Sequence, residues 1–330
     1  MATSAPSKIT DWVDPKDKSG EFKRQQSVFR NFISREPGAE FPPEKGRYHL
    51  YVSYACPWAH RTLITRKLKG LEDFISFTMA FPYPPMKSSL GKTQPQIHCI
   101  RTLRICARST SPMIPTMQAD SLFQRSTTRR RKKIVSNESS EIIRMFYYEF
   151  DDLLPEPYKS LDLYPATLRP QIDESNEWIY NDVNNGVYKS GFATTQEAYE
   201  KAVTTLFSSL DRIEKHLAQQ AAVSPFFFGT QVTEADIRLF TTIVRFDPVY
   251  VQHFKCNIRD IRSGYPAIHR WLRALYWDIP AFGETTQFEH IKFHYTKSHK
   301  QINQFAITPV GPVPDILPKD QEVNAVTVAR

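Results

Sequence analysis

No run of apolar residues in this 330-residue chain approaches the roughly 20 that a bilayer-spanning helix needs. The opening residues, Met1-Ala2-Thr3-Ser4, lack an apolar core and are followed by Asp11, Asp14 and Asp17. That pattern argues against a secretory signal and against a mitochondrial presequence, so a cytosolic location is expected. Cysteine is scarce: Cys56, Cys99, Cys106 and Cys256 are too few for a disulfide framework in a chain of this length. None of them forms a C-x-x-C pair, so a working thiol here acts alone and needs a small-molecule thiol to resolve it. No Cys/His cluster has ligand spacing, so no metal is expected. No G-x-G-x-x-G follows a strand, which removes the usual pyridine-nucleotide site.

What is present is the composition of an ordinary globular protein, 41% hydrophobic and 24% charged, long enough for one large or two ordinary domains. The net charge of +8 could point to nucleic acid, but much of it is local. Arg125, Arg129, Arg130, Arg131, Lys132 and Lys133 lie close together. Charge is therefore a poor guide to partners, and neither nucleic acid nor a membrane is expected among them.

The most informative stretch runs from Tyr48 to Lys69. Tyr48, Leu50, Val52 and Tyr54 alternate as in a strand, which ends at Cys56-Pro57 and gives way to a helix-forming segment from Trp58. Proline suits a first helical turn, where its missing N–H would have no partner anyway. Cys56 thus stands at a helix N-terminus, where free N–H groups and the positive end of the helix dipole favour the thiolate. His60 and Arg61 are expected to add positive charge within the first turn. Phe74 to Met79 reads as a second strand, completing a βαβ opening.

Elsewhere, residues 1–46 read as an arm packed over a domain, with Phe22, Phe29, Phe32 and Ile33 available for burial. From Gln94 to Thr128 there is no sustained period of 2 or 3.6. Asn137-Glu138-Ser139-Ser140-Glu141 is a good helix start. Phe150 to Arg169, with Pro155, Pro157 and Pro165, reads as a linker. Ile172, Trp178, Ile179 and Val183 fit one face of a helix ending near Asn185-Gly186. Tyr199, Ala202, Val203, Leu206, Leu210, Ile213 and Leu217 form a stripe best read as core. Thr233-Glu234-Ala235-Asp236 is a capping box that serves folding. Pro266 to Trp277, and the segment carrying Phe288, Ile291 and Tyr295, add amphipathic helices, and the tail from Ile307 is extended or loose.

Cys56-Pro57-Trp58-Ala59-His60-Arg61 after a strand resembles the thioredoxin-like half of the glutathione transferases, and within them the cysteine-type Xi class, the glutathionyl-hydroquinone reductases. Phe22-Lys23-Arg24-Gln25, Asn185-Gly186-Val187-Tyr188-Lys189, Gly191-Phe192-Ala193-Thr194-Thr195-Gln196 and His290-Ile291-Lys292 extend the likeness. The resemblance implies an α/β thioredoxin-like N-terminal domain over residues 47–150, an all-α C-terminal domain over 170–300 and a tail over 301–330. It implies glutathione as co-substrate, quinone-derived small molecules as partners, and a homodimer. Cys56 would be the nucleophile. Glu138 would hold the α-ammonium of glutathione and Ser139 its carboxylate, with Trp58 packed beside the thiol. Tyr188 and Tyr295 would bind the hydroquinone oxygen. Two alternatives stay open: an omega-like thioltransferase or dehydroascorbate reductase, and a non-catalytic binding protein of the same fold.

One segment departs from the family. Residues 82–133 lack its Gly-Trp loop and its Val-Pro pair, for which Ile114-Pro115 is the nearest imitation. Codons for Met113 to Thr128 exist which, read from the third base, restore a Val-Pro pair in family-like text, and the run Arg129 to Lys133 then corresponds to an A-rich tract. The segment therefore reads as out-of-frame text, the alternative being a basic, disordered insertion. Sequencing the transcript and the gene through these codons is expected to show a base gain or loss at the A-rich tract and a compensating one upstream. An unchanged reading in both would leave the insertion.

Overall fold

A computed structural model describes residues 19–24, 26–79, 103–108 and 132–321. The N-terminal half is built on four strands: β1 (Tyr48–Val52), β2 (Ile75–Met79), β3 (Leu103–Arg108) and β4 (Lys132–Ser136). They form one sheet in the order β2-β1-β3-β4. β1 pairs parallel to β2 with Tyr48 opposite Ile75, and antiparallel to β3 with Leu50 opposite Ile105. A parallel pair needs a crossover, and α1 (Pro57–Leu68) supplies it. Tyr48, Leu50 and Val52 are fully buried, while His49 and Tyr51 face the other way. This period of two presses one face of the sheet onto α1 and onto α2 (Ser139–Tyr148). Their shared core includes Leu63, Ile75, Ile105, Val135, Ile142 and Phe146.

β3 lies where the sequence shows no sustained period. Six residues are too few for one to register, and the strand is specified by its neighbours. It fills the place between β1 and β4, burying Ile105 completely. Ile114-Pro115 and the basic residues Arg129 to Arg131 lie outside the described residues.

The C-terminal half is helical: α3 (Arg169–Trp178), α4 (Gly186–Gly191), α5 (Gln196–Gln220), α6 (Glu234–Ile243), α7 (Val251–His253), α8 (Ile261–Gly264), α9 (Pro266–Asp278), α10 (Pro280–Gly283) and α11 (Phe288–Ser298). Along α5, Val203, Leu206, Leu210, Ile213 and Leu217 are buried, as their spacing requires. The expected stop at Asn185-Gly186 is instead a change of helix. α3 loosens into a π-turn over Ile179–Asn184, and Gly186 then starts α4. At α6 the Thr233 N–H donates to Asp236 Oδ2 at 2.9 Å, and Asp236 Oδ1 accepts from Phe227 N and Trp271 Nε1. One acidic side chain thus closes the helix start and ties two neighbouring segments to it. Gly191 allows a close approach, because a Cβ there would meet the Phe254 ring at 2.1 Å.

In the N-terminal arm Phe22 and Ile33 are buried, but Phe29 and Phe32 are 36% and 50% exposed. Polar bonds also fix the arm: Asn31 N–H donates to Val135 O at 3.0 Å, Asn137 N–H to Phe29 O at 3.0 Å, and Arg30 Nε to Glu141 Oε2 at 2.7 Å. Among the described residues no helix is long and apolar enough to cross a membrane.

The two halves are joined by a polar knot. Glu234, on α6 and fully buried, accepts from Arg144 Nε at 3.0 Å, from Arg238 Nη1 at 3.1 Å and from Asn176 Nδ2 at 3.0 Å. Arg144 belongs to α2, so the knot spans the domain boundary. Removing the carboxylate leaves two guanidiniums beside a desolvated gap. Glu234→Ala is expected to lower the unfolding free energy by about 3–5 kcal/mol, measured by urea denaturation. A loss below about 1 kcal/mol would show that the knot is solvated in solution.

Candidate active site

Cys56 is the N-cap of α1, in extended backbone (φ −77°, ψ 118°), and Pro57 opens the helix. Its thiol is free and half-buried, and makes no cap hydrogen bond. The turn that carries it is fixed through the main chain. Cys56 N–H donates to Ser53 O and His60 N–H to Cys56 O, both at 3.0 Å.

The stronger constraint comes from the other domain. Arg245, just beyond α6 and fully buried, donates from Nε to Ala55 O at 3.1 Å and from Nη2 to Tyr54 O at 2.9 Å. Its Nη1 donates to Thr241 O at 2.7 Å and to His60 Nδ1 at 3.0 Å. Because Nδ1 of His60 accepts, its proton sits on Nε2, which donates to Thr285 Oγ1 at 3.0 Å. His60 is therefore not the positive charge expected from the sequence. Burial, and then the Arg245 charge, hold it well below the usual imidazole range. It is a neutral spacer between the domains.

Arg61 keeps its charge but turns it inward. Burial and the neighbouring Arg238 push its guanidinium down to about 9. It donates to Asn184 Oδ1 at 2.8 Å and lies 4.5 Å from the centre of the Trp58 ring. Trp58 also packs on Tyr180, with ring centroids 5.7 Å apart.

At the start of α2 the cap is Glu138. Its Oε1 accepts from Ser140 N–H at 3.1 Å and Ser140 Oγ at 2.8 Å, and its Oε2 accepts from Ser27 Oγ at 2.9 Å. Burial would raise this carboxyl, yet the bonds from Ser140 and Ser27 and the Arg61 charge outweigh it, so it titrates below the ordinary glutamate range. Glu138 therefore stays anionic at the helix mouth. Ser139 is the first residue of α2 and is buried, its N–H among those that no intrahelical carbonyl can reach.

Tyr188, on α4, and Tyr295, on α11, are brought together: their hydroxyl oxygens are 2.7 Å apart. Tyr250 extends the chain, its hydroxyl 3.1 Å from that of Tyr295. All three are raised chiefly by burial. At Tyr188 the Tyr295 hydrogen bond pulls the other way, the Cys56 sulfur raises it further and Arg24 lowers it. The Tyr188 hydroxyl thus lies within electrostatic range of the thiol. Phe254 packs under the set, its ring 5.4 Å from that of Tyr188 and 5.7 Å from that of Tyr295.

Two family models match the chain, a glutathione S-transferase N-terminal domain over residues 55–147 and a C-terminal domain over 196–274. A Schizosaccharomyces pombe protein named glutathione S-transferase omega-like 2 is 51% identical over 319 residues, 93% of this chain and 97% of its own. The chain belongs to the glutathione S-transferases, in the Xi class. Glutathionyl-hydroquinone reductase YqjG of Escherichia coli is 45% identical, covering 92% of this chain and 93% of its own. Among solved structures, the Xi transferase of Phanerochaete chrysosporium superposes with a TM-score of 0.75 at 51% identity, over 92% and 96% of the two chains. The Saccharomyces cerevisiae Xi transferase in complex with glutathione gives 0.75 at 42% identity, over 92% and 100%. The expected fold, a thioredoxin-like half followed by a helical half, is the fold of this Xi transferase.

Sequence reasoning missed Arg245 and Tyr250. Arg245 had a visible signal, a lone cation inside the apolar run Ile243-Val244-Arg245-Phe246. Tyr250 had none, since it sits in a π-turn, Phe246–Tyr250, where helical spacing gives no guide.

Behind the tyrosines lie more buried imidazoles. His253 Nε2 and His299 Nδ1 are 3.0 Å apart, and His294 Nδ1 is 2.9 Å from Ser298 Oγ. Burial pushes His253, His269 and His294 down to about 4, and His60 and His299 well below the usual range. Between pH 6.5 and 4 the unfolded chain takes up protons that the native one refuses. Stability is then complete above about pH 6.5 and falls with pH through that window. Asp236 and Asp247, the latter raised to about 6 by burial, act in the opposite sense but are outnumbered. The urea midpoint is expected to drop from pH 7 to pH 4.5, with a net uptake of more than one proton on unfolding. A profile flat to pH 4.5 would contradict these buried neutral imidazoles.

Proposed function

We propose that the protein reduces S-glutathionyl-hydroquinones, with glutathione as co-substrate and Cys56 as nucleophile. The observation that carries this reading is the hydrogen-bonded hydroxyl pair of Tyr188 and Tyr295, within electrostatic range of a thiol at an open helix start. A sulfur nucleophile beside two phenolic donors suits a substrate in which sulfur is attached to an oxygenated ring. Relatives named glutathionyl-hydroquinone reductase, 45% and 41% identical, support it.

In the first step the Cys56 thiolate attacks the glutathione sulfur, and the bond from that sulfur to the ring breaks. The ring carbon leaves with the electron pair and takes a proton, giving the free hydroquinone. Tyr188 and Tyr295 hold the ring oxygen and draw charge toward it, stabilising the leaving carbanion. Cys56 is left in a mixed disulfide with glutathione. The thiolate of a second glutathione attacks the glutathione sulfur, releasing oxidised glutathione and restoring Cys56. Each turnover consumes one glutathione thiol: its sulfur and the thioether sulfur of the substrate end in the disulfide, and the two electrons they give up reduce the ring carbon. Glu138 and the N–H groups at the start of α2 would take the α-ammonium and carboxylate of the γ-glutamyl end. Trp58 would pack beside the thiol.

Cys56→Ser is expected to abolish turnover of a glutathionylated hydroquinone. Tyr188→Phe and Tyr295→Phe should each lower kcat by about tenfold to a hundredfold with KM changed less, since the hydroxyls act on charge that develops during the reaction. Turnover of the wild type on a glutathionylated disulfide but not on the hydroquinone adduct would replace this reading with a thioltransferase. Full activity of Cys56→Ser would remove the mechanism.

A further inference from the structure

The N-terminal arm crosses the site between two anchors. At one end Phe22 is buried, stacked on Tyr188 with centroids 6.3 Å apart and packed against Phe192 at 5.5 Å. At the other end Ser27 Oγ donates to Glu138 Oε2 at 2.9 Å. The first anchor touches the tyrosine pair and the second touches the cap of α2, so the arm engages both parts of the site. Arg24 lies between the two anchors in the sequence. Its guanidinium lies 4.1 Å from the centre of the Trp58 ring, two residues beyond Cys56.

Arg24 differs from the other arginines here. Arg61, Arg238 and Arg245 are buried and donate to fixed acceptors. Arg24 is exposed, and among the described residues no carboxylate pairs with it. Its charge reaches the Tyr188 hydroxyl, the same group that feels the Cys56 sulfur. A guanidinium stacked on an aromatic face keeps its N–H edge free, and that edge matches a carboxylate or another anionic oxygen. The stack also removes most of the side chain's freedom before any ligand arrives.

We propose that Arg24 is a substrate-binding residue, its guanidinium taking an anionic oxygen of the glutathione-bearing substrate. This rests on the reading that such a substrate occupies the site. The oxygen belongs either to a carboxylate of the tripeptide or to an ionised oxygen of the quinol ring. Glu138 is the wrong sign for either, and Arg24 supplies the cation on the thiol side of the mouth. The arm is then part of the binding site, and glutathione recognition extends beyond the thioredoxin-like half.

The test uses the full chain as wild type, Arg24→Ala and Arg24→Lys, each first checked for a wild-type melting temperature, since an exposed arginine is removed without a cavity. Two quantities are measured: binding of S-methylglutathione, which has no ring, and kcat and KM for the glutathione adduct of benzohydroquinone. If the tripeptide supplies the anion, Arg24→Ala weakens S-methylglutathione binding about tenfold. If the ring supplies it, that binding is unchanged, while KM for the adduct rises about tenfold with kcat within twofold. Arg24→Lys keeps the charge but not the planar fork, and falls between. Both quantities within twofold of wild type in Arg24→Ala overturn the proposal. Should the wild type fail to turn over the adduct while Arg24→Ala still weakens S-methylglutathione binding, the reductase reading falls and the role of Arg24 stands.

Discussion

A single buried guanidinium holds the two halves of this protein in working order. Arg245 comes from the helical half, and three of its four hydrogen bonds end on the turn and first helical residues around Cys56. Burying a cation is costly unless its donors are satisfied, and here carbonyls and a neutral imidazole satisfy them without a carboxylate. The arrangement makes the domain contact specific. If the halves slide, the guanidinium loses the Tyr54 and Ala55 carbonyls together and is stranded in apolar surroundings. It also decides the state of His60, because a donor on Nδ1 and a neighbouring positive charge both oppose protonation.

How much of this could be read from the chain depends on whether the determinant is local. The strand, Cys56-Pro57 and α1 were legible because alternation, a proline and a helical run follow one another within about twenty residues. The buried stripe of α5 was legible because its period repeats over more than four turns. His60 was misread for the opposite reason. Its protonation is set by a residue 185 positions away, and nothing adjacent hints at it. The π-turns at Ile179–Asn184 and Phe246–Tyr250 break the 3.6-residue count, which hid both the change of helix before Tyr188 and the placing of Tyr250. β3 escaped because strand identity there is imposed by the open edges of β1 and β4.

The N-terminal arm shows the same division. Phe22, Phe29, Phe32 and Ile33 all suggested burial, but of these four only Phe22 and Ile33 are buried. The rest of the arm is fixed by backbone pairing to Val135 and Asn137, the Ser27 bond to Glu138 and the Arg30 pair with Glu141, none of which leaves a hydropathy pattern. Because Ser27 shares the Glu138 carboxylate with the cap of α2, docking of the arm and occupation of that helix mouth are energetically linked.

The three tyrosine hydroxyls also allow a count of hydrogens. Tyr188, Tyr295 and Tyr250 carry one O–H each, and the two O–H···O contacts among them consume two. One hydrogen remains to point elsewhere. While both contacts hold, the cluster presents a single outward donor, and any of the three rings can present it, depending on how the two bonds run. Turning over both bonds moves the free donor from one end of the cluster to the other without any heavy atom shifting. A molecule bound here meets a one-proton relay with three possible outlets, and its own oxygen decides which of them opens.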